Sequence, residues 1–309
     1  MDLDLVDCFL RVAELGSINR AALEMDMTQP ALSRRIAALE HSLGVSLLAR
    51  DARGVRLTPA GETLRAGAPA LLRSASLLRD ELGRQARTQV SIGLPFSMHR
   101  LVTAPFAARE IRNNPAVSLR VHEGFVHHLR QSMQNGLIDA AVLDFQESPA
   151  PGSEQTPLVR EHLLLVGPPG AELDPSRRIS PEQLGASPLI LPARPNAIRL
   201  SVDAYLKRHG QKYRRAADAE TLALCLSLVK EGLGYTVMPY CALQEAQLAQ
   251  LPRAPIQGLA TTWSLYVSSA RRHNAAVRQV ANSLEAEMRR LVASGQWAFA
   301  EAVPAPPRR

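Results

Sequence analysis

Arg34 is the side chain in this sequence best placed for base-reading chemistry. It stands with Pro30, Ala37 and His41, flanked by Ser33, on one side of the segment Gln29 to Leu43, while Leu32, Ile36, Leu39 and Leu43 form a narrow apolar stripe on the other. A guanidinium held among small residues on a free helix face can donate two hydrogen bonds to guanine O6 and N7 in a major groove. Read alone, the same arginine also suits an ordinary solvated helix. Arg53, in Asp51-Ala52-Arg53-Gly54, can reach a phosphate or a narrow minor groove from the tip of a turn. From Gln29 to Thr58 the cations Arg34, Arg35, Arg50, Arg53 and Arg56 face only Glu40 and Asp51, so positive charge gathers there within a chain of net charge +7.

Other chemistries find less support. His122, Glu123, His127 and His128 would need a further ligand to hold a metal, and they read more simply as a strand end and an exposed helix start. Cys8, Cys225 and Cys241 have no C-x-x-C spacing; buried, reduced thiols are expected, with a redox pair Cys225/Cys241 as the alternative. No G-x-x-x-x-G-K-[ST], H-E-x-x-H, G-x-S-x-G or dinucleotide fingerprint occurs, so neither an enzyme nor a resident cofactor is expected.

The elements that would position Arg34 are legible. Leu5, Cys8, Phe9 and Val12 mark one face of a helix from about Asp4 to Leu15, which Gly16 ends. Ser17 is placed to cap a second helix through Met25, a turn follows at Asp26-Met27, and Thr28 with Pro30 opens the third. Leu47 to Arg50 and Val55 to Thr58 read as a β-hairpin, a wing. Thr58-Pro59 then starts a long helix to about Gln85, in which Leu64, Leu71 and Leu78 interleave with Ala68, Ala75 and Leu82 as a heptad seam, interrupted by Pro69. Such a seam predicts pairing of two chains, with burial against the chain's own domain as the alternative.

This pattern closely resembles the LysR-type transcriptional regulators. The resemblance rests on Phe9, Val12, Ala13, Gly16-Ser17, Arg20-Ala21-Ala22, Thr28-Gln29-Pro30-Ala31-Leu32-Ser33, Ile36, Leu39-Glu40, Leu43-Gly44, Leu47-Leu48, Arg50, Val55, Leu57-Thr58 and Ala60-Gly61. It implies a winged helix-turn-helix with its motif from Ile18 to Ala37, contacts to double-stranded DNA by Ser17, Asn19, Gln29, Pro30, Ser33, Arg34 and Arg53, with Arg50 on the wing joining that set, and a homodimer or homotetramer that meets RNA polymerase at promoters. Leu48 departs from the family, where an aromatic is common, and should alter wing packing.

From Val90 onward short β runs alternate with helical segments, the texture of an α/β fold with largely parallel sheets. Strands are expected at Val90–Leu94, Val117–Val121, up to Leu143, Glu161–Val166, Leu189–Leu191, Tyr235–Pro239 and Thr262–Ser268, and helices at about 197–209 and 221–231. This part resembles the LysR effector domain, two α/β lobes of periplasmic-binding-protein type; Val90 to Leu94, Leu189 to Arg194 and Glu220-Thr221-Leu222 resemble the nitrogen assimilation control subgroup. Ligands of open α/β sheets bind beyond the carboxyl ends of strands, where helix N-termini offer N–H groups. That selects Phe96, Ser97, Met98, Arg194, Asn196 and Thr221 as effector contacts, with Arg194 the candidate for an anion; Ser97 and Thr221 also suit simple N-capping.

The expected organisation is a winged helix-turn-helix over 1–58, a linker helix over 59–88, an effector domain over 89–303 (first lobe about 89–163 and 264–303, second about 164–263) and a disordered Pro/Arg tail over 304–309. Met-Asp-Leu-Asp-Leu lacks the marks of a signal peptide and no apolar run approaches spanning length, so a cytoplasmic chain without a membrane partner is expected. The functional expectation is a DNA-binding regulator controlled by a small-molecule effector. The alternative is a cytosolic small-molecule-binding protein or enzyme on a two-lobed scaffold, which leaves the first 58 residues unexplained.

Overall fold

The computed structural model describes residues 2–51, 54–82, 88–147, 152–243 and 250–304. It divides into two compact units, Met1–Ala86 with Asn135–Leu137, and Arg87–Gln134 with Ile138–Arg309.

The first unit runs α1 (Leu3–Leu15), α2 (Ile18–Glu24), α3 (Gln29–Leu43), β1 (Leu48–Asp51), β2 (Gly54–Leu57) and α4 (Pro59–Leu82). Asp2 caps α1 by accepting from the Asp4 amide at 2.9 Å, and Gly16 ends it at φ +62°, a conformation that costs glycine little. Ser17 caps α2, accepting from the Arg20 amide at 3.3 Å. Thr28 sits in extended backbone before α3 but makes no side-chain capping bond, so Pro30 in the first turn does more to start that helix. Phe9, Val12, Ala21, Leu32, Ile36, Leu39 and Leu47 close one apolar core with Ala68 of α4.

The wing is fastened to this core at its base. β1 and β2 pair antiparallel from Leu48↔Leu57 to Asp51↔Gly54. Glu40 of α3 accepts the Leu47 and Leu48 amides on one carboxylate oxygen, at 2.6 and 3.1 Å. Thr58 Oγ1 donates to the Ser46 carbonyl at 2.7 Å and accepts the Gly61 amide at 3.0 Å, joining the wing to the start of α4. A Cβ on Gly61 would stand 2.2 Å from the Leu47 carbonyl oxygen, so only glycine permits this approach.

The second unit comprises β3 (Thr88–Pro95), a short 3-10 turn and a π turn to Thr103, α5 (Ala104–Asn113), β4 (Val117–Gly124), α6 (Val126–Gln134), β5 (Ala140–Asp144), β6 (Ser153–Val166), α7 (Pro181–Ala186), β7 (Pro188–Pro192), α8 (Ala197–Arg208), β8 (Arg214–Ala219), α9 (Leu222–Lys230), β9 (Thr236–Pro239), β10 (Arg253–Ser268), α10 (Ala275–Ala293) and β11 (Ala300–Ala302). The larger sheet has the order β11-β6-β10-β5-β3-β4, with β9 joined to β6; β7 and β8 form a second sheet. Val90 to Pro95 of β3 are buried without interruption, as a central strand covered on both faces requires.

The sheets are mixed rather than largely parallel. β3 runs parallel to β4 and β5, and β7 to β8, but β6 and β10 are long strands antiparallel to each other and to their neighbours. The return strand expected at Thr262–Ser268 is the second half of β10, which bends where the register breaks between Pro255 and Ala260. Two sets of apolar cores meet along these crossovers. Val159 and Trp263 belong to the core of the first lobe with α5 and α10, whereas Leu163 and Leu259 belong to that of the second lobe with α7 and α8. Among the described residues, no helix is long and apolar enough to cross a membrane.

Candidate functional site

On α3 the apolar stripe Leu32, Ile36 and Leu39 is buried, while Gln29, Pro30, Arg34, Ala37 and His41 are exposed and Ser33 is half-buried. Gln29 Nε2 donates to Ser33 Oγ at 3.0 Å, and Arg34 Nε reaches back to the Pro30 carbonyl at 3.4 Å. Arg34 has no ion pair among the described residues, so its charge is available to a partner. Arg35 turns elsewhere, with Nη1 3.7 Å from Cys8 Sγ. Asn19 is exposed on α2 beside the Ser17 cap. Arg50 lies on β1 opposite Val55, and Arg53 falls outside the described residues.

In the second unit a cleft of about 530 Å3 opens between the lobes. Its first wall is Phe96, Ser97, His99 and Arg100 after β3, with Phe125, Val126 and His127 after β4. Its second wall is Asn196 and Ile198 at the start of α8, with Thr221, Leu222, Leu226, Ser227 and Lys230 along α9. Cys241, Ala242 and Trp263 make the floor. Asn196 and Thr221 both cap and line: they accept from the Ile198 and Leu224 amides at 2.9 and 3.1 Å, which leaves their N–H and O–H donors for other partners. Phe96 and Phe125 meet edge to face at 5.5 Å, and His127 stacks on Phe125 at 5.9 Å.

Two residues expected at the effector site stand away from the cleft. Met98 is fully buried in the first lobe's core, because the turn after Ser97 swings its side chain inward. Arg194 points to the surface, with 65% of its side chain exposed, and pairs with Asp203 of α8 at 2.6 Å. Reading from the sequence missed His99, Arg100, Phe125, His127 and Lys230. The strand-end rule that found Phe96 applies equally at Gly124, and Lys230 lies on the α9 face that Leu222 and Leu226 mark at a spacing of four.

The cleft lining carries Arg100 and Lys230 and, among the described residues, no carboxylate. Burial, and then the neighbouring His128, lower the pKa of His127 and favour its neutral form. His99 Nδ1 lies 2.9 Å from Glu123. Burial pushes the Cys225 thiol up to about 11 and the Cys241 thiol well above the ordinary range, which disfavours the thiolate at both.

Residues 3–62 match the model of the bacterial regulatory helix-turn-helix protein, lysR family, and residues 83–289 match the LysR substrate binding domain. The chain belongs to the LysR family of transcriptional regulators. The HTH-type transcriptional regulator BbuR of Bordetella bronchiseptica is 28% identical over 96% of this chain and 93% of its own, and the nitrogen assimilation regulatory protein Nac of Escherichia coli is 31% identical over 76% and 77%. In fold, the full-length regulator CbnR, solved with its target DNA, superposes with a TM-score of 0.71 at 20% identity, covering 93% of this chain and 100% of CbnR. Like its LysR relatives, the protein is a DNA-binding transcription regulator with a C-terminal effector-binding domain, and not an enzyme.

Proposed function

We propose that this LysR regulator reads promoter DNA with the exposed face of α3 and is switched by a small organic anion held between its lobes. Arg34 addresses a base edge from the major groove, Gln29, Pro30 and Ser33 fit around it, and Ser17, Asn19, Arg50 and Arg53 hold the sugar-phosphate backbone. The observation that carries the effector reading is the lining of the cleft: both lobes and the floor contribute, the fixed charges are Arg100 and Lys230, and no described lining residue is acidic. A ligand touching both walls favours one lobe orientation and acts only through that difference in affinity. Ser97, Asn196 and Thr221 supply donors, and Phe96 and Phe125 an apolar surface.

The exposed leucines of α4 support pairing of two chains, and the proposed assembly is a homodimer or homotetramer with RNA polymerase as a partner at the promoter. Leu71 and Leu78 are 39% and 57% exposed on this helix, and Leu71 borders an apolar groove of about 480 Å3 with Leu43, Val45 and Leu64. Cytoplasmic residence follows from work on the chromosome.

A DNase footprint on DNA flanking the regulator's own gene, repeated with a panel of carboxylates and amino acids, tests the reading. Thr221→Val with Lys230→Ala should abolish the ligand-dependent change and keep the ligand-free footprint. An unchanged response at wild-type ligand concentrations would place the effector elsewhere.

A further inference from the structure

Glu161 is a charged side chain with no exposed surface, and it does not line the cleft. Its carboxylate nonetheless holds two cleft-floor residues, one on each oxygen: Oε1 accepts the Cys241 amide at 2.9 Å, and Oε2 accepts the Trp263 indole N–H at 2.6 Å. Strands from both lobes converge on it. Glu161 lies on β6, paired with Thr261 of β10 and Ala300 of β11, two residues before Leu163, where the strand enters the second core. Trp263 lies on β10 at a break in register, and Cys241 follows β9, which pairs with β6 from Leu163↔Pro239.

We propose that Glu161 is the positioning residue of the cleft floor, through which occupancy of the cleft reaches the strands that cross between the lobes. A molecule resting on the floor touches Cys241 and Trp263, and any displacement of either stretches a hydrogen bond to a carboxylate that water does not reach. Such a bond is expensive to leave unmade, so the floor moves together with the β6 backbone. Burial raises the pKa of Glu161, and hydrogen bonding from Trp263, then from Trp297 and Cys241, opposes that rise. Glutamine has the same shape but would turn an NH2 donor toward one of two donors, so it cannot satisfy both.

The inference rests on the cleft being the effector site, but its test needs no ligand and therefore fails separately from that reading. Trp297 also approaches Glu161, so Glu161→Gln is made with both tryptophans kept and the readout is the footprint of the full-length protein. Glu161→Gln should move the edge of the ligand-free footprint upstream of the regulator's own gene. Trp263→Phe, made in the wild type, keeps an aromatic ring while losing the donor and the second ring; it should move the same edge, and adding Glu161→Gln should move it no further. That non-additivity is what general loosening of the fold would not produce, and Trp263→Phe keeps the test decisive if Glu161→Gln does not fold. A wild-type footprint in Trp263→Phe, or effects that add in the double variant, would overturn the proposal.

Discussion

Replacing Glu40 by alanine should loosen the wing while sparing the rest of the head. The Leu47 and Leu48 amides converge on one Glu40 oxygen at 2.6 and 3.1 Å, and Leu47 itself is fully buried. A hydrogen bond to a charged acceptor contributes about 1.5–3 kcal/mol. Because Glu40 is only half-buried, water replaces part of the loss, and the two bonds together are worth about 2–4 kcal/mol. At about 1.4 kcal/mol per factor of ten, local opening rises roughly 30- to 700-fold. Hydrogen exchange with mass spectrometry on the full-length protein should find this acceleration in residues 46–49, with α1 unchanged. Glu40→Gln keeps a neutral acceptor and should fall between. Wild-type exchange at the wing base in Glu40→Ala would show that another contact holds the wing and that Glu40 does not.

Two further outcomes follow from the geometry. Leu71→Asp puts a charge on the exposed seam of α4, where pairing of chains would bury it without a partner, so sedimentation should show dissociation toward monomers; an unchanged mass would reject the seam. Glu287 is held at about 2 by its hydrogen bond from Arg290 at 2.8 Å and by Arg109 at 2.6 Å. Its folded pKa lies below the unfolded value, so its stabilisation is present above the ordinary glutamate range and is lost as pH falls toward 2. Allowing for screening around the two half-exposed arginines, about 1–2 kcal/mol is at stake. Thermal melting of Glu287→Gln should therefore depend less on pH over that window than the wild type, and parallel curves would remove this role.

The head was legible because its signals are local. The helical period of α3, the cap at Ser17, the stop at Gly16 and the two short strands of the wing each act within a few residues, and the structure bears out those elements. The cleft was legible in part. Asn196 and Thr221 announce themselves as helix starts after strands, so the same rule that places a cap places a lining residue. Arg194 obeys that rule in sequence but finds Asp203 nine residues later, a partner that only the path of α8 supplies. Met98 follows Ser97 immediately, yet one step along a tight turn reverses the side chain from cleft to core. The antiparallel crossovers, β8 with its exposed Arg214 and Arg215, and the burial of Glu161 depend on pairings between distant segments and leave no periodic mark.

The measurement that bears most directly on this account is a binding titration of full-length protein against operator variants carrying every single base-pair change, for wild type and Arg34→Ala. The exposed guanidinium on α3, without an ion pair among the described residues, predicts a loss of about 1–3 kcal/mol on the best operator and relaxed discrimination at one base pair in each half-site, with preferences elsewhere intact. Equal affinity for Arg34→Ala and wild type, or a loss spread evenly over all positions, would contradict base reading by this face of α3.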